Sequence, residues 1–292
     1  MRDRAPLPPP QVIARLRAAG CVFAEDEAAL LIAAGATPDD LAVMVERRVA
    51  GEPLEYVLGW AEFCGLRVAV EPGVFVPRHR TEFLAFQAAA RAHPGAVVVD
   101  LCCGSGAVGA AVLAALPSVE LHATEIDATA VRCARRNLAT PGGQVHQGDL
   151  YRPLPAGLRG RVDVLVANVP YVPTDEIPLL PREARLYEPR QALDGGRDGL
   201  DVLRRVAAEA PAWLAPGGHL LVETSEAQAP RAAGILTASG LLAEVTSLEE
   251  MEATVVTGTM PGADRPASGP IDAHAAHPRP GSGADRRRPP PS

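Results

Sequence analysis

Residues 163–173 read DVLVANVPYVP, an apolar run that ends in Asn168-Val169-Pro170-Tyr171. Those residue types can hold a planar amide or amine. The Asn168 side-chain oxygen and the Val169 backbone carbonyl can each accept one of its N–H groups. That orientation aims the weakly nucleophilic nitrogen lone pair at an electrophile. Tyr171 offers a flat apolar face on which the planar group can stack and near which a cation can sit. Positioning of this kind supplies up to about 7–11 kcal/mol in ideal cases. Transfer of a methyl group to an amide nitrogen needs little else, because the methylated nitrogen loses its proton readily. A strand that ends in a proline turn uses the same residues, so the tetrapeptide has to be read with its surroundings.

A second constellation lies upstream. Asp100-Leu101-Cys102-Cys103-Gly104-Ser105-Gly106 follows a buried strand and opens a helix. Glycines there let the backbone approach a ligand, and the helix start offers free N–H groups. Glu125 ends the next strand, where a carboxylate holds ribose hydroxyls in doubly wound folds. Asp149-Leu150 ends the third strand; the acid can accept from an adenine amino group while the following N–H donates to the ring. No Gly-Lys-Ser/Thr follows the glycines, so this is not a P-loop. Asp100 would repel a pyrophosphate but suits a ligand with an ammonium group, such as the methionine part of S-adenosylmethionine. Packing alone can also require glycine in a tight turn, and Asp149 can simply start a turn before Arg152-Pro153.

The elements that position these residues follow from periodicity. The strands are AVVVDL (96–101), VELHATEI (119–126), QVHQGDL (144–150), VDVLVANV (162–169) and GHLLVETS (218–225). Helices fall between them at 106–116, 128–139 and near 198–214. Alternation of this kind predicts a parallel sheet with helices on both faces. LLAEVTSLEE (241–250) and EATVVTGTM (252–260) leave no room for a helix and predict an antiparallel hairpin at the sheet edge. Upstream, residues 10–51 read as short helices, with Gly20 and Gly35 as C-terminal caps and Thr37-Pro38-Asp39-Asp40 as a helix start carrying Leu41, Val45 and Val49 on one face. Residues 61–77 alternate and read as a hairpin or two short strands.

Composition narrows the function classes. The 292-residue chain carries a net charge of −7 and no lysine. An acidic balance argues against tight nucleic-acid binding. No apolar run approaches the ~18 residues of a membrane span, and MRDRAPLPPP has no apolar core behind its arginines, so a cytoplasmic protein is expected. Cys21, Cys64, Cys102, Cys103 and Cys133 form neither a disulfide framework nor a Cys-x-x-Cys pair. His274 and His277 lie in a Pro/Gly-rich tail that would hold a metal poorly, so no metal is expected. The tail, 261–292, with its Arg286–Arg288 run, is too poor in apolar residues to order itself. Gly142-Gly143-Gln144 reads as a turn before a strand.

Taken together, the chain resembles the S-adenosylmethionine-dependent protein-(glutamine-N5) methyltransferases, the HemK-like group that modifies peptide-chain release factors. The resemblance runs from about residue 10 to 260. It rests on GEPLEYVLGWAEFCGLRV (51–68), PGVFVPRHRTE (72–82), DLCCGSGAVG (100–109), ATEIDATAVRCARRNL (123–138), the 168–171 tetrapeptide and YEPRQALDGGRDGLDVLRR (187–205). It implies an α/β fold: a Rossmann-like class I methyltransferase domain with a mostly parallel seven-stranded sheet, preceded by a small helical domain. The expected division is a helical substrate-recognition domain (1–58), a hairpin linker (59–80), the methyltransferase domain (81–260) and the tail.

Carried over by motif, Asn168 and the carbonyl of Val169 would hold the substrate glutamine, with Pro170 and Tyr171 shaping the pocket. Phe75 would pack beside the adenine. Asp100, Cys102, Gly104, Ser105, Gly106, Glu125, Asp149 and Leu150 complete the implied cofactor site, together with Asn168. The implied partner is a release factor or another translation protein, and the expected enzyme is a monomer. Three departures from the family pattern mark a divergent branch. Val169 stands for its first proline. Cys102 stands for a glycine, which is tolerable at negative φ. Arg78-His79-Arg80-Thr81-Glu82 stands for Arg-Pro-Glu-Thr-Glu, which alters substrate contacts. Two alternatives stay open: an amino-group methyltransferase acting on DNA or RNA bases, and a cofactor-binding paralogue without catalysis.

Overall fold

Capping residues set the first helices. The structure, a computed structural model, describes residues 9–139 and 143–262. The expectations for the 263–292 tail, its histidines and arginines, and Gly142 lie outside the described residues. Helices α1 (Pro9–Ala18), α2 (Ala24–Ala34), α3 (Pro38–Val49) and α4 (Leu54–Leu58) open the chain. The Thr37 hydroxyl accepts the Asp40 N–H at 3.1 Å, Pro38 takes the first turn, and Asp39 and Asp40 meet the positive end of the dipole. Leu41 and Val45 are buried with Val12, Leu16 and Leu31, and Val49 packs against them. Gly20 is left-handed, whereas Gly35 caps α2 in extended backbone.

Strands β1 (Trp60–Phe63) and β2 (Leu66–Ala69) form an antiparallel hairpin. Helix α5 (Thr81–Arg91) follows. The main sheet then alternates with helices: β3 (Val97–Leu101), α6 (Ala107–Ala115), β4 (Glu120–Glu125), α7 (Ala128–Asn137), β5 (Gly143–Gln147) and β6 (Val162–Ala167). After it come α8 (Arg182–Tyr187), α9 (Asp201–Glu209), β7 (Leu214–Thr224), α10 (Ala229–Ala238), β8 (Leu242–Leu248) and β9 (Ala253–Thr259). The strand order is β5-β4-β3-β6-β7-β9-β8. The five strands from β5 to β7 are parallel, and β9 is antiparallel to both its neighbours.

Alternation along β3 feeds two cores. Val97, Val99 and Leu101 face α9 and α10, alongside Leu203, Val206 and Leu236. Val98 faces the other side with Leu84, Val112, Leu121 and Ala134, from α5, α6, β4 and α7. Three helices have no counterpart in the sequence reading, α5, α8 and α10. Strand β7 also begins four residues earlier than GHLLVETS, pairing Leu214 with Val162 before an irregularity. Among the described residues, no helix is long and apolar enough to cross a membrane.

The order of strands decides where a ligand fits. Connections run from β3 outward to β4 and β5, then return to β6 on the opposite side. Leu101 and Ala167 are register partners at the ends of β3 and β6. The loop after each strand therefore opens at the same switch point, where ligands bind in open parallel sheets.

Candidate active site

The loop from Cys102 to Gly106 is built on left-handed backbone. Cys102, Gly104 and Gly106 have φ of +55°, +55° and +79°. The expectation of a negative φ at Cys102 is thus corrected: a cysteine occupies a conformation suited to glycine, at a cost of about 1–2 kcal/mol. The turn imposes it, because the Cys103 N–H must reach the Thr124 carbonyl at 3.1 Å and the Gly106 N–H the Cys103 carbonyl at 2.7 Å. The Gly104 N–H donates to Glu125 Oε2 at 2.9 Å. Glu125 Oε1 accepts the Ile126 and Asp127 amides at 2.7 and 2.9 Å. Three N–H groups thereby fix this carboxylate beside the loop.

Asp100 is buried at the end of β3, and its Oδ2 accepts the Gly109 N–H of α6 at 3.0 Å. Burial pushes its carboxyl up to about 7, with the Glu125 charge adding to the rise and the Gly109 amide opposing it. Burial also pushes the Cys102 and Cys103 thiols up, so neither is a thiolate nucleophile at neutral pH.

A cavity of about 780 Å³ opens over these groups. It brings together Phe75, Asp100, Cys102, Gly104, Ser105, Glu125, Asp149, Leu150 and the whole 168–171 tetrapeptide. Gly106 stands outside its lining. Gly106 caps α6 at φ +79°, and a Cβ there would come within 3.1 Å of Leu138.

Asp149 has a partner that the sequence did not disclose. Arg205 of α9 lines the cavity, and its Nη2 donates to Asp149 Oδ1 and Oδ2 at 2.8 and 2.6 Å. Leu150 is buried at φ +49°.

The tetrapeptide leaves β6 between two supports. On one side, Asn168 Nδ2 donates to the buried Thr81 Oγ1 of α5 at 3.4 Å. That contact assigns the amide nitrogen to Thr81 and leaves Oδ1 without a donor among the described residues. On the other side, Gln228 Nε2 donates to the Tyr171 carbonyl at 2.9 Å, and Val172 exchanges backbone bonds with Leu193 and Gly195. A Cβ at Gly199 would meet the Tyr171 carbonyl oxygen at 2.2 Å, so only glycine lets this segment lie against the tetrapeptide. Val169 is 3% exposed and its side chain packs in the core beneath the sheet.

Ion pairs hold the rim. Arg78 Nη2 donates to Glu188, and the guanidinium carbon sits 4.9 Å from the Phe75 ring centroid. The Tyr56 hydroxyl donates to the Val74 carbonyl at 2.6 Å. Arg48 of α3 is buried and donates to Glu27 of α2 and to Glu183 of α8, a cavity-lining residue. Thr81, Arg205 and Gln228 are functional candidates missed from sequence; Thr81 and Arg205 carry the weak signal of lying inside the family-like segments 72–82 and 187–205.

The residues fit an adenosyl ligand with an ammonium group. A glycine-lined helix start accepts close approach, Glu125 is prepositioned for hydroxyls, and Asp100 offers a counter-charge. Comparison with known proteins agrees. The family model described as "Methyltransferase small domain" matches residues 65–179. The chain is 41% identical to a release factor glutamine methyltransferase of Geobacter sulfurreducens over 208 residues, covering 70% of this chain and 72% of that one. It is 38% identical to the enzyme of the same name from Deinococcus radiodurans over 251 residues, covering 83% and 88%. In fold it is similar to a methyltransferase from Pyrococcus furiosus, with a TM-score of 0.52, 16% identity, and coverage of 68% and 90%. With most of their length shared at this identity, the chain belongs to the release factor glutamine methyltransferase family.

Proposed function

We propose that this protein transfers a methyl group from S-adenosylmethionine to the side-chain amide nitrogen of a glutamine in a peptide-chain release factor. The observation that carries the reading is the meeting of the Gly104–Glu125 pair and the Asn168–Tyr171 tetrapeptide in one cavity at the β3/β6 switch point. The activity for which the relatives are named supports it. When bound, the cofactor supplies an electrophilic methyl group on a sulfonium.

The chain's residues do the rest. Asp100 would hold the ammonium group, Glu125 the ribose, and Phe75, Asp149 and the Leu150 N–H the adenine. Asn168 Oδ1 and the Val169 carbonyl accept the two N–H groups of the glutamine, and the Tyr171 ring forms the wall beside the reacting nitrogen. Helices α1 to α4 form the recognition surface for the protein partner. Labelled S-adenosylmethionine with a purified release factor, followed by mass spectrometry, tests the reading. Wild type labels one glutamine, and Asn168→Ala loses roughly a hundredfold or more in rate while still binding cofactor. Label on a base or a small molecule, with none on glutamine, would sink it, as would cofactor binding without any transfer.

A further inference from the structure

Behind the tetrapeptide lies a contact ring that joins Tyr171 to two residues the proposed reaction does not use directly, Arg80 and Glu223. Glu223, near the end of β7, is buried. Arg80, the residue before α5, places its Nε 3.3 Å from Glu223 Oε1. The Tyr171 hydroxyl donates to the same Oε1 at 3.1 Å, and Arg80 Nη2 donates to the Tyr171 hydroxyl oxygen at 2.8 Å. The guanidinium carbon lies 6.0 Å from the Tyr171 ring centroid. Glu223 Oε2 is buried with no hydrogen-bond partner among the described residues. Arginine here replaces the acid of the family pattern, so a carboxylate that would repel Glu223 becomes a cation that pairs with it.

We propose that Arg80 is a positioning residue that, with Glu223, fixes the Tyr171 phenol and so sets the angle of the aromatic wall of the glutamine slot. This rests on the glutamine-methylation reading. The value of the pair is geometric. The Arg80 side chain is 45% exposed, so as an isolated ion pair it contributes little. A tyrosine ring, by contrast, turns about two side-chain torsions, and holding its hydroxyl from two directions removes that freedom. Burial and then the Glu223 charge push the phenol's titration upward, so it stays a donor at neutral pH.

Arg80→Ala, Tyr171→Phe and the double variant form the test, assayed with a purified release factor and S-adenosylmethionine. Each single variant lowers kcat about tenfold, the scale of a small misplacement of the reacting group, with the cofactor Kd unchanged. The double variant is no slower than Tyr171→Phe alone, because both changes break one contact ring. Losses that multiply overturn the proposal, and so does Arg80→Ala raising KM with kcat intact, which assigns Arg80 to direct substrate binding. Denaturant unfolding of the same four proteins reads the contact ring without turnover. Coupling between positions 80 and 171 is expected there, and its absence overturns the proposal. Wild type that transfers no methyl to glutamine removes the function instead, and the unfolding cycle still decides the ring.

Discussion

Arg78 Nη2 lies 2.6 Å from each carboxylate oxygen of Glu188. The two side chains differ in surroundings: Glu188 is 1% exposed and Arg78 34%. The Val76 N–H adds a weaker bond to Oε1 at 3.3 Å. This contact holds the 187–193 segment against the loop that carries Phe75, across the mouth of the cavity.

Arg78→Ala leaves that carboxylate buried and unpaired. The expected loss of stability is roughly 2–3 kcal/mol, below the cost of breaking a fully buried pair because Arg78 keeps some water. Burial already pushes Glu188 up, with Arg78 the main opposing influence. Without Arg78 the folded-state value rises further above the unfolded one, so the contribution of this group is largest in acid and is lost as pH rises. The deficit of the variant therefore narrows from about pH 7 to pH 5. Urea unfolding at both pH values checks this, and a deficit independent of pH would count against it.

Asp100 gives a pH dependence to cofactor binding. Burial raises its carboxyl to about 7, so the unliganded site is largely neutral in mild acid. An ammonium group binds the ionised form. Affinity for S-adenosylmethionine is expected to climb as pH rises towards 7, by up to about tenfold per pH unit. Asp100→Asn keeps an acceptor for the Gly109 amide and flattens the profile. Without ligand the sign reverses: a raised folded value means that stability present in acid is lost as pH rises through about 7. Calorimetric titration of wild type and variant from about pH 5.5 to 7 measures the first effect.

Cys102→Gly is expected to stabilise the protein by about 1 kcal/mol, because glycine adopts φ +55° without the Cβ clash. The sulfur is buried enough to lose a little packing on removal. A fall in the thermal midpoint would show that packing outweighs backbone strain at this turn.

Val169→Pro restores the rigid frame of the family tetrapeptide. The gain from preorganisation is about 0.4–1 kcal/mol, equivalent to roughly a two- to fivefold rise in kcat/KM. Val169 also fills a place in the core, so the substitution loses part of a buried side chain and folding stability should change little. An unchanged kcat/KM would remove the idea that valine loosens the frame.

What could be read in the chain separates by range. The central strands are legible because Val97 to Leu101 are buried on both faces and interrupted by glycine turns. The tetrapeptide and the glycine loop are legible because each is contiguous. Helix α10 is not: APRAAGILTA is mostly small residues with a proline in its first turn and a glycine inside, and it has no broad apolar stripe. The sign of φ at Cys102 follows from the bonds of the loop, which no residue type reveals. Arg80 with Tyr171 and Glu223, and Arg205 with Asp149, are pairs that the topology makes from residues 52 to 143 positions apart. Their residue types alone say only that the surface is charged.

The sheet order has a consequence in time. Among the described strands β9 is the last to leave the ribosome, yet it lies between β7 and β8, and β8 bonds to no other of them. Until Ala253–Thr259 has been made, β8 lacks its full partner, and β7 presents the open edge that invites wrong partners. A message cut short inside β9 would therefore not yield a slightly smaller enzyme. It would yield a sheet left open at β7, with β8 deprived of the strand that joins it to the rest.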